Sequence, residues 1–411
     1  MGRPSKLALA LSGGGFTGYL FEIGALTALD DLFDGGVSIN DFDLFVGVSA
    51  GAAAASLMAN GVKPEEILQA NLSDEWPYYF ERRDIFAPAM GEGLKTVLRG
   101  AKQLFPLLKL YVQNRHEMSL IDLLDKAQDA LPSGIYTLEP FARHLEATCL
   151  AKGLSNSFDG LRKELYIPAI DLETGQGVVF GDWRTRAVPI SRAITASCAA
   201  PIYFCPVRID GRDYIDAGIG RITFFEVAAQ KGADFMIIIN PSVHIRHDLE
   251  TGGMRPPSVR TTRLRDKGFL SIGDQATRIN LEARFSQALR MFRHEHPEKD
   301  FLVISPKPTE TLLFERSFLS FRDRVHLLRC GYLSVVEAIQ ERGGEVEARF
   351  SRHGLAISES RQRQRVQMRL EQLAGTASAV QLAPAKRAPR AGWLSVLGLL
   401  RRWAGVPSAE Q

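Results

Sequence analysis

The chain of 411 residues has little cysteine and no long hydrophobic run. Its four cysteines are scattered, and their spacing fits neither a disulfide framework nor a zinc site. No apolar stretch approaches the roughly 20 residues that a membrane-spanning helix needs. These absences favour reduced thiols in a cytoplasmic setting, and they predict neither a metal site nor a segment that crosses a membrane. The cysteines are Cys149, Cys198, Cys205 and Cys330.

Signals for nucleotide and nucleic-acid binding are also weak. Gly13, Gly15 and Gly18 match the G-x-G-x-x-G of a dinucleotide site. Such a site needs an acidic residue at the end of the second strand, where this chain has Gly47-Val48-Ser49. The loop contains no G-x-x-x-x-G-K-[ST] for a triphosphate, and no nucleic-acid module is recognised. We therefore expect no nucleotide cofactor and no nucleic-acid partner.

The composition fits one large α/β domain with an appendage. Hydrophobic residues make up 45% of the chain, which is enough to bury a full core. Strand-like runs alternate with helical patterns through the first 240 residues, which predicts a mostly parallel, doubly wound sheet. The predicted strands include 7–11, 42–48, 235–240 and 301–304, and the predicted helices 16–33, 50–58 and 323–340.

The sequence Gly47-Val48-Ser49-Ala50-Gly51 ends the second predicted strand and leads directly into a small-residue helix. A G-x-S-x-G in this position is typical of a nucleophile elbow, a sharp turn that holds a serine hydroxyl outward. Gly47 and Gly51 leave room for such a turn, and the helix N-terminus favours negative charge near Ser49. A Gly/Ser turn that only caps a helix is the alternative interpretation.

A glycine-rich loop, Ser12-Gly13-Gly14-Gly15, follows the first predicted strand and precedes a helix. Consecutive glycines let several backbone N–H groups converge on one point. Such a nest binds either a phosphate or the oxyanion of a tetrahedral intermediate. A nest and an elbow on neighbouring strands are the two parts that acyl transfer to a serine requires.

An aspartate fits the base for this serine better than any of the eight histidines. None of them lies at a recognisable strand end, and His294-Glu295-His296 has the composition of a solvated loop. Residues 201–220 instead form an alternating hairpin turned at Asp210-Gly211, whose second strand ends at Asp216-Ala217-Gly218. Partial burial there would raise the pKa of Asp216 toward neutral pH. The alternative is an Asp216 that only caps a turn.

These motifs resemble, in order and context, those of the patatin-like phospholipase family. The resemblance covers roughly residues 5–240 and rests on Gly13-Gly14-Gly15-Phe16-Thr17-Gly18, on the G-x-S-x-G around Ser49, and on Asp216-Ala217-Gly218. Residues 171–181 and 196–207 also resemble the segments that precede the family's aspartate. Several motifs in the same order are far more specific than any one of them.

The resemblance implies a three-layer α/β/α fold and a lipid acyl hydrolase with a Ser–Asp dyad. No metal and no histidine would take part in the catalytic pair. Ser49 would attack the ester carbonyl, and Asp216 would accept its proton. The backbone N–H groups of Gly13, Gly14 and Gly15 would form the oxyanion hole. The catalytic domain would span residues 1–350.

Two residues depart from the family pattern. Thr17 stands where a basic residue is usual, and Ala217 stands where glycine is commoner. The first change removes an electrostatic helper, so it bears on the rate or on the preferred head group.

An insertion over residues 62–135 is a possible lid. Within it, residues 94–110 place apolar side chains at helical spacing, with four cations and no acid. Such a stretch is typical of a helix that touches a membrane surface over an acyl channel. An ordinary amphipathic helix packed on the core is the alternative.

The tail, residues 351–411, is the stronger candidate for membrane contact. Residues 361–403 contain nine cations and one acid, a net +8 in a chain of net +3. Residues 376–391 have the composition of a flexible linker. The amphipathic segment 392–403 combines apolar bulk with two tryptophans and two arginines, which is typical of an anchor on anionic lipid.

The sequence therefore predicts a cytoplasmic lipid acyl hydrolase of the phospholipase A or lysophospholipase type, bound peripherally to the inner face of the membrane. Its substrate would be a phospholipid or another acyl-ester lipid, and it would need no cofactor. The N-terminus shows no pattern of a secretory signal or of myristoylation. A soluble carboxylesterase or thioesterase and an inactive lipid-binding scaffold are the alternatives.

Overall fold

A computed structural model describes residues 4–89, 133–219, 224–242, 268–307, 323–357 and 359–382. Its centre is an eight-stranded sheet, beside which lies a sheet of three short strands. The strands of the described ranges are β1 (Leu7–Leu11), β2 (Leu44–Gly47), β3 (Ala87–Pro88), β4 (Gly134–Thr137), β5 (Glu164–Asp171), β6 (Gly177–Phe180), β7 (Ile202–Phe204), β8 (Val207–Ile209), β9 (Arg212–Asp216), β10 (Phe235–Ile239) and β11 (Asp300–Ile304).

The large sheet is parallel in one part and antiparallel in the other. Strands β11, β10, β1, β2 and β5 are parallel neighbours in that order. Strands β9 and β8 continue the sheet as antiparallel neighbours, and β6 also pairs with β5. In the small sheet β4 lies between β3 and β7. Strands β1, β2 and β10 are buried almost throughout, as parallel strands covered on both faces are.

Helices lie on both faces of the sheet. In the described ranges they are α1 (Gly15–Leu32), α2 (Ala50–Ala59), α3 (Pro64–Ser73), α4 (Arg82–Ile85), α5 (Glu139–Lys152), α6 (Ile190–Ser197), α7 (Phe224–Gln230), α8 (Phe269–Glu295), α9 (Arg324–Arg352) and α10 (Glu359–Leu382).

Alternate side chains of the parallel strands enter two separate cores. Leu9 and Ile237 belong to the larger core, which also contains the apolar faces of α1, α2 and α9. Their neighbours Ala8 and Met236 belong to the second core, in which Phe225 of α7 packs against Phe292 of α8. A sheet between two helical layers is the three-layer α/β/α arrangement, so the predicted fold class is confirmed.

Several predicted elements are close to the observed ones. The hairpin turns at Asp210 and Gly211, where φ is +48° and +80°. The helix predicted over 323–340 continues to Arg352, beyond a kink at Gly343 with φ of +28°. His294 and Glu295 are the last residues of α8, so the loop predicted at 294–296 is wrong for them.

The first part of the tail differs from its prediction. The boundary predicted at residue 350 falls inside α9, and the next helix, α10, packs against the rest of the domain. Leu373 is fully buried there, and Arg369 bonds to Asp31 and Glu65. Residues 376–382, predicted as linker, are the end of α10.

None of the helices in the described ranges is long and apolar enough to cross a membrane. The segment 94–110, most of the insertion 62–135, and the amphipathic segment 392–403 lie outside the described residues.

Candidate active site

Ser49 lies on a tight turn between β2 and α2. Its φ of +54° and ψ of −129° are strained for a residue with a side chain. The turn packs closely on the chain around it, since a Cβ on Gly47 would overlap the backbone of Gly51 and Ala52. These small residues therefore let the strand turn sharply into the helix, and Ser49 faces a cavity.

A hydrogen-bonded chain fixes this turn to the neighbouring strand. The Ser49 backbone N–H donates to the Ser197 hydroxyl at 2.9 Å. The Ser197 hydroxyl donates in turn to the carbonyl of Pro168, in β5, at 2.6 Å. Ser197 is fully buried at the end of α6, so the position of Ser49 depends on a group that is itself rigidly held.

Asp216 ends β9 beside the same part of β5. Its backbone pairs with Ala169, the residue after Pro168, and its N–H donates to the Ala199 carbonyl at 3.0 Å. The carboxylate accepts a hydrogen bond from the Gly218 N–H at 2.7 Å, and the Ser49 hydroxyl is near enough to favour its charged form. The fold thus brings together two side chains that are far apart in the sequence.

The surroundings of Asp216 favour its neutral form. Burial raises the pKa of its carboxyl to about 6, against the opposing effect of the Gly218 N–H and the Ser49 hydroxyl. Burial, together with the nearby Asp216, raises the pKa of the Cys198 thiol far above its usual range. At neutral pH the carboxylate is charged and the thiol is not.

The glycine loop turns through three consecutive positive φ angles, +78° at Gly13, +120° at Gly14 and +67° at Gly15. Gly14 and Gly15 line the cavity beside Ser49. The N–H of Gly13 points elsewhere and donates to Glu22 Oε1 at 2.8 Å. The predicted oxyanion-binding role of the Gly13 amide is therefore not available in this arrangement.

Two residues of α1 stabilise the loop from inside. Glu22 is fully buried, and burial raises the pKa of its carboxyl well above the ordinary value, with the Gly13 N–H opposing the rise. Thr17 is also buried, and its hydroxyl donates to the Gly14 carbonyl at 3.3 Å. Thr17 therefore supports the loop and supplies no charge to the cavity.

The cavity has a volume of about 500 Å3, within the range of small-molecule sites. Apolar and aromatic side chains form most of its wall, including Phe16, Phe80 and Phe141, whose rings pack together. Besides Ser49 and Asp216, its polar lining includes an ion pair on α8 between Arg278 and Asp274 at 3.0 Å. Such a cavity suits an acyl chain whose polar end lies near the charged pair.

Histidines and metal-binding clusters do not contribute to this site within the described ranges. No histidine lines the cavity there, and no group of histidine, cysteine and acidic side chains in those ranges is arranged to hold a metal ion. His144 lies behind the wall, where its Nε2 contacts the Pro77 carbonyl at 3.0 Å.

Ser49, Asp216, Gly14, Gly15 and Gly218 all line one cavity, whereas Gly13, Gly47, Gly51 and Ala217 support it from behind. Sequence reasoning missed Glu22 and Ser197. A signal for Glu22 was present, because it is the only charged residue between positions 16 and 29 of a predicted apolar helix. Ser197 has no local signal, since its partners come from distant strands.

A family model and a curated protein both match this chain in sequence. A family model described as patatin-like phospholipase matches residues 9–229. The chain is 25% identical over 218 residues to the probable lipid hydrolase 463L of Invertebrate iridescent virus 6, a match that covers 51% of this chain and 59% of the viral protein.

Two solved structures are also similar to this chain. VipD from Legionella pneumophila is 15% identical with a TM-score of 0.36, over 82% of this chain and 67% of VipD. ExoU from Pseudomonas aeruginosa is 15% identical with a TM-score of 0.36, over 92% of this chain and 61% of ExoU. The chain thus spans less than two thirds of the viral relative and of ExoU.

Proposed function

Because this chain belongs to the patatin-like phospholipase family, we propose that it is a serine hydrolase that cleaves carboxylic esters of membrane lipids through Ser49 and Asp216. The observation that carries the proposal is that Ser49 and the buried Asp216 carboxyl line the same apolar cavity, where the Ser49 hydroxyl is near enough to Asp216 to lower its pKa. The family match and the viral lipid hydrolase support a lipid ester as the substrate class.

In the first half of the reaction, Asp216 accepts the hydroxyl proton as Ser49 Oγ attacks the ester carbonyl carbon. The carbonyl oxygen becomes an oxyanion. We assign its stabilisation to the N–H groups of Gly14 and Gly15, together with the N-terminus of α2. The intermediate collapses as its C–O bond breaks, the leaving alcohol takes the proton from Asp216, and an acyl-serine remains.

In the second half, Asp216 removes a proton from water, and the hydroxide attacks the acyl-serine carbonyl. The new oxyanion occupies the same position. As this second intermediate collapses, Asp216 returns the proton to Ser49 Oγ and a fatty acid is released. The cavity walls formed by Phe16, Phe80 and Phe141 would hold the acyl chain during both halves.

We expect Ser49→Ala to reduce hydrolysis of p-nitrophenyl butyrate by at least about 1000-fold, because the nucleophile is lost. The matched control is Ser56→Ala, which removes a hydroxyl from the same helix; that hydroxyl bonds to the Ala53 carbonyl and lies outside the cavity lining. The control should retain activity within about twofold of the parent. Initial rates at pH 8 and thermal unfolding curves measure both variants.

Two further measurements distinguish the proposed lipid hydrolase from an inactive lipid-binding scaffold and from a soluble esterase or thioesterase. A fluorophosphonate probe should add its mass to the peptide that contains Ser49, whereas an inactive lipid-binding scaffold would stay unmodified. Release of fatty acid from phospholipid vesicles should exceed release from soluble esters and thioesters at equal acyl concentration, and the reverse order would favour a soluble esterase. Full activity in Ser49→Ala would remove the proposed nucleophile.

A further inference from the structure

The chain that follows β10 reaches the active-site cavity beside the glycine loop. We infer that the Ser242 hydroxyl in this segment is a further catalytic group, which donates a hydrogen bond to the oxyanion formed at the ester carbonyl, and that Asn240 positions it. This role rests on the proposed function, because it needs the acyl transfer at Ser49. It adds a side-chain donor to the backbone N–H groups of Gly14 and Gly15.

The order of the strands brings three loops to one edge of the sheet. Strand β1 lies between β10 and β2, and the three strands are parallel, so their carboxyl ends share that edge. The glycine loop follows β1, Ser49 follows β2, and Ser242 follows β10. Both serines and Gly14 line the cavity. The glycine loop therefore has the nucleophile on one side and Ser242 on the other.

The glycine loop is in close contact with both of these neighbours. A Cβ on Gly13 would lie 3.0 Å from the Cβ of Ser49, and a Cβ on Gly14 would lie 3.3 Å from Oγ of Ser242. Because Gly14 has no side chain, the Ser242 hydroxyl can approach the backbone of the loop. An oxyanion that accepts from the Gly14 N–H would therefore form beside the Ser242 hydroxyl.

Asn240 connects this segment to the start of the glycine loop. It is buried at the end of β10, where its backbone N–H donates to the Ile304 carbonyl at 2.8 Å. Its Oδ1 accepts two hydrogen bonds, from the Ser12 hydroxyl at 2.8 Å and from the Ser242 N–H at 3.1 Å. One rigidly held amide thus fixes the backbone of Ser242 relative to the loop.

The hydroxyl of Ser242 is free to donate, whereas that of Ser12 is not. Ser12 also lines the cavity, but its hydroxyl donates to Asn240. Ser242 is half-buried, and no group in the described ranges accepts a hydrogen bond from its Oγ. A hydroxyl in this position can donate to an oxygen of a bound ester. It keeps its proton throughout, so the steps of the acyl transfer stay as they are.

Other groups at the site contribute little to an oxyanion. The Gly13 N–H donates to Glu22, and Thr17 is buried and supplies no charge. Among the described residues of the cavity wall, the one cation is Arg278, and its Nε is in an ion pair with Asp274. The described site therefore offers few donors for a developing negative charge, and a hydroxyl beside the glycine loop supplies one more.

The first experiment measures kcat and KM of the full chain with p-nitrophenyl butyrate. Ser242→Ala keeps the N–H that bonds to Asn240, and it should lower kcat about 10- to 100-fold with KM within about twofold, because the lost hydroxyl acts on the transition state. Ser242→Thr retains a hydroxyl and should stay within about fivefold of the parent. The matched control is Ser56→Ala, outside the cavity lining, whose kcat should not change.

The second experiment uses a short-chain alkyl trifluoromethyl ketone, which adds to Ser49 and forms an oxyanion. Ser242→Ala should weaken inhibition by this ketone by the same factor as kcat/KM falls. The corresponding trifluoromethyl alcohol forms no oxyanion, so its inhibition constant should not change. The acid limb of the pH profile should also keep its position, because the variant leaves Asp216 in place.

The role of Asn240 as a positioning residue is tested by a double-variant cycle. Asn240→Ala removes the acceptor for the Ser242 N–H and should lower kcat at least as much as Ser242→Ala does. The two changes together should cost less than the product of their separate effects, because Asn240 acts partly through the hydroxyl. Effects that multiply fully would contradict this positioning role. Thermal unfolding curves show that each variant folds.

An unchanged kcat in Ser242→Ala, in a chain whose Ser49 reacts with the fluorophosphonate probe, would overturn the inference. So would an equal loss of affinity for the ketone and the alcohol, since the hydroxyl would then act on binding and not on the oxyanion. A loss in Ser242→Thr as large as that in Ser242→Ala would count against it equally. Failure of the probe to label Ser49 in the parent chain would instead contradict the proposed function.

Discussion

The Asp216 carboxylate is subject to two opposing effects. Burial disfavours its charged form, while the Gly218 N–H and the Ser49 hydroxyl stabilise that form, and burial has the larger effect. A pKa of about 6 in place of 3.8 corresponds to about 3 kcal/mol in favour of the neutral carboxyl. The group is therefore charged at neutral pH and is a stronger base than an exposed aspartate, as proton transfer from a serine requires.

The pKa of Asp216 predicts the pH dependence of the reaction. Only the charged carboxylate accepts the Ser49 proton, so kcat/KM for a soluble ester should fall about tenfold per pH unit below about 6 and stay level from about pH 7 to 8. Initial rates of p-nitrophenyl butyrate hydrolysis at constant ionic strength give this profile. An acid limb centred near pH 4 would show that Asp216 is not the titrating base.

The raised pKa of Asp216 favours proton transfer in the reaction, but it lowers the stability of the folded chain at neutral pH. The folded chain binds the Asp216 proton more tightly than the unfolded chain, so the free energy of unfolding decreases as the pH rises from about 4 to about 6. Asp216→Asn removes this cost. The inactive variant should unfold at a higher temperature than the parent at pH 8, and the difference should shrink toward pH 4. Circular dichroism melts at both pH values measure it, and a variant less stable at pH 8 would contradict it.

Among the secondary-structure elements, α1 supports the loop that precedes it. Glu22, in its second turn, reaches back to the Gly13 N–H, so the helix fixes the glycine loop from the buried side. Its other carboxyl oxygen, Oε2, has no hydrogen-bond partner in the described part of the chain. Burial raises the pKa of Glu22 well above the ordinary value and so favours the neutral form of this carboxyl, against the effect of the Gly13 N–H. Its role is to position Gly14 and Gly15.

We expect Glu22→Ala to lower kcat for a soluble ester about 10- to 100-fold with little change in KM, because a mobile loop stabilises the oxyanion poorly. Glu22→Gln retains an acceptor at the same position and should remain within about threefold of the parent. Glu22→Met keeps nearly the same size without an oxygen acceptor, so it separates the hydrogen bond from packing. A loss in Glu22→Met similar to that in Glu22→Ala assigns the effect to the hydrogen bond, whereas a loss in Glu22→Ala alone assigns it to packing.

The elements that sequence reasoning located are those with strong local patterns. Strands β1, β2 and β10 are continuous apolar runs, and the hairpin between β8 and β9 has a turn of aspartate and glycine, so their positions follow from a few neighbouring residues. Helix α8 has no such pattern. Its cavity stripe holds Gly273, Asp274, Thr277 and Arg278, which are polar or small. Of its apolar residues, Phe292 packs in the second core, whereas Ile272 and Ile279 are half-exposed.

The sequence motifs located the two ends of the candidate site, Ser49 and Asp216, but not the groups that connect them. The turn at Ser49 and the strand end at Asp216 are local features, whereas the connection between them runs through Ser197 to Pro168. That connection depends on the order of strands in the sheet, with β5 between β2 and β9. The Gly13 amide was misassigned for a similar reason, because its partner Glu22 becomes visible only when the helix turns back over the loop.

For the molecule as a whole, charge is distributed unevenly along the chain. Residues 361–403 carry a net +8, so the remainder of a +3 chain is acidic. Part of that positive charge belongs to the folded domain, since Arg369 of α10 bonds to Asp31 and Glu65 and is shielded with them. The five cations that follow α10 in the sequence lie outside the described residues. They are Lys386, Arg387, Arg390, Arg401 and Arg402.

Deletion of residues 385–411 tests whether these five cations anchor the enzyme. Each cation near an anionic surface contributes about 1 kcal/mol, so the deletion should weaken binding to vesicles rich in phosphatidylserine by at least tenfold. Binding to phosphatidylcholine vesicles and hydrolysis of p-nitrophenyl butyrate should be nearly unchanged. Vesicle sedimentation at several salt concentrations gives the binding, and the parent's advantage should decline as salt rises.

Deletion from residue 358 is the contrasting variant, because it also removes α10 with the buried Leu373 and the Arg369 ion pairs. Loss of that packing should lower the unfolding temperature, whereas deletion of 385–411 should leave it unchanged. Equal stability in both truncated chains would mean that α10 adds nothing to the domain. Full binding to anionic vesicles after deletion of 385–411 would show that the basic segment is not the membrane anchor.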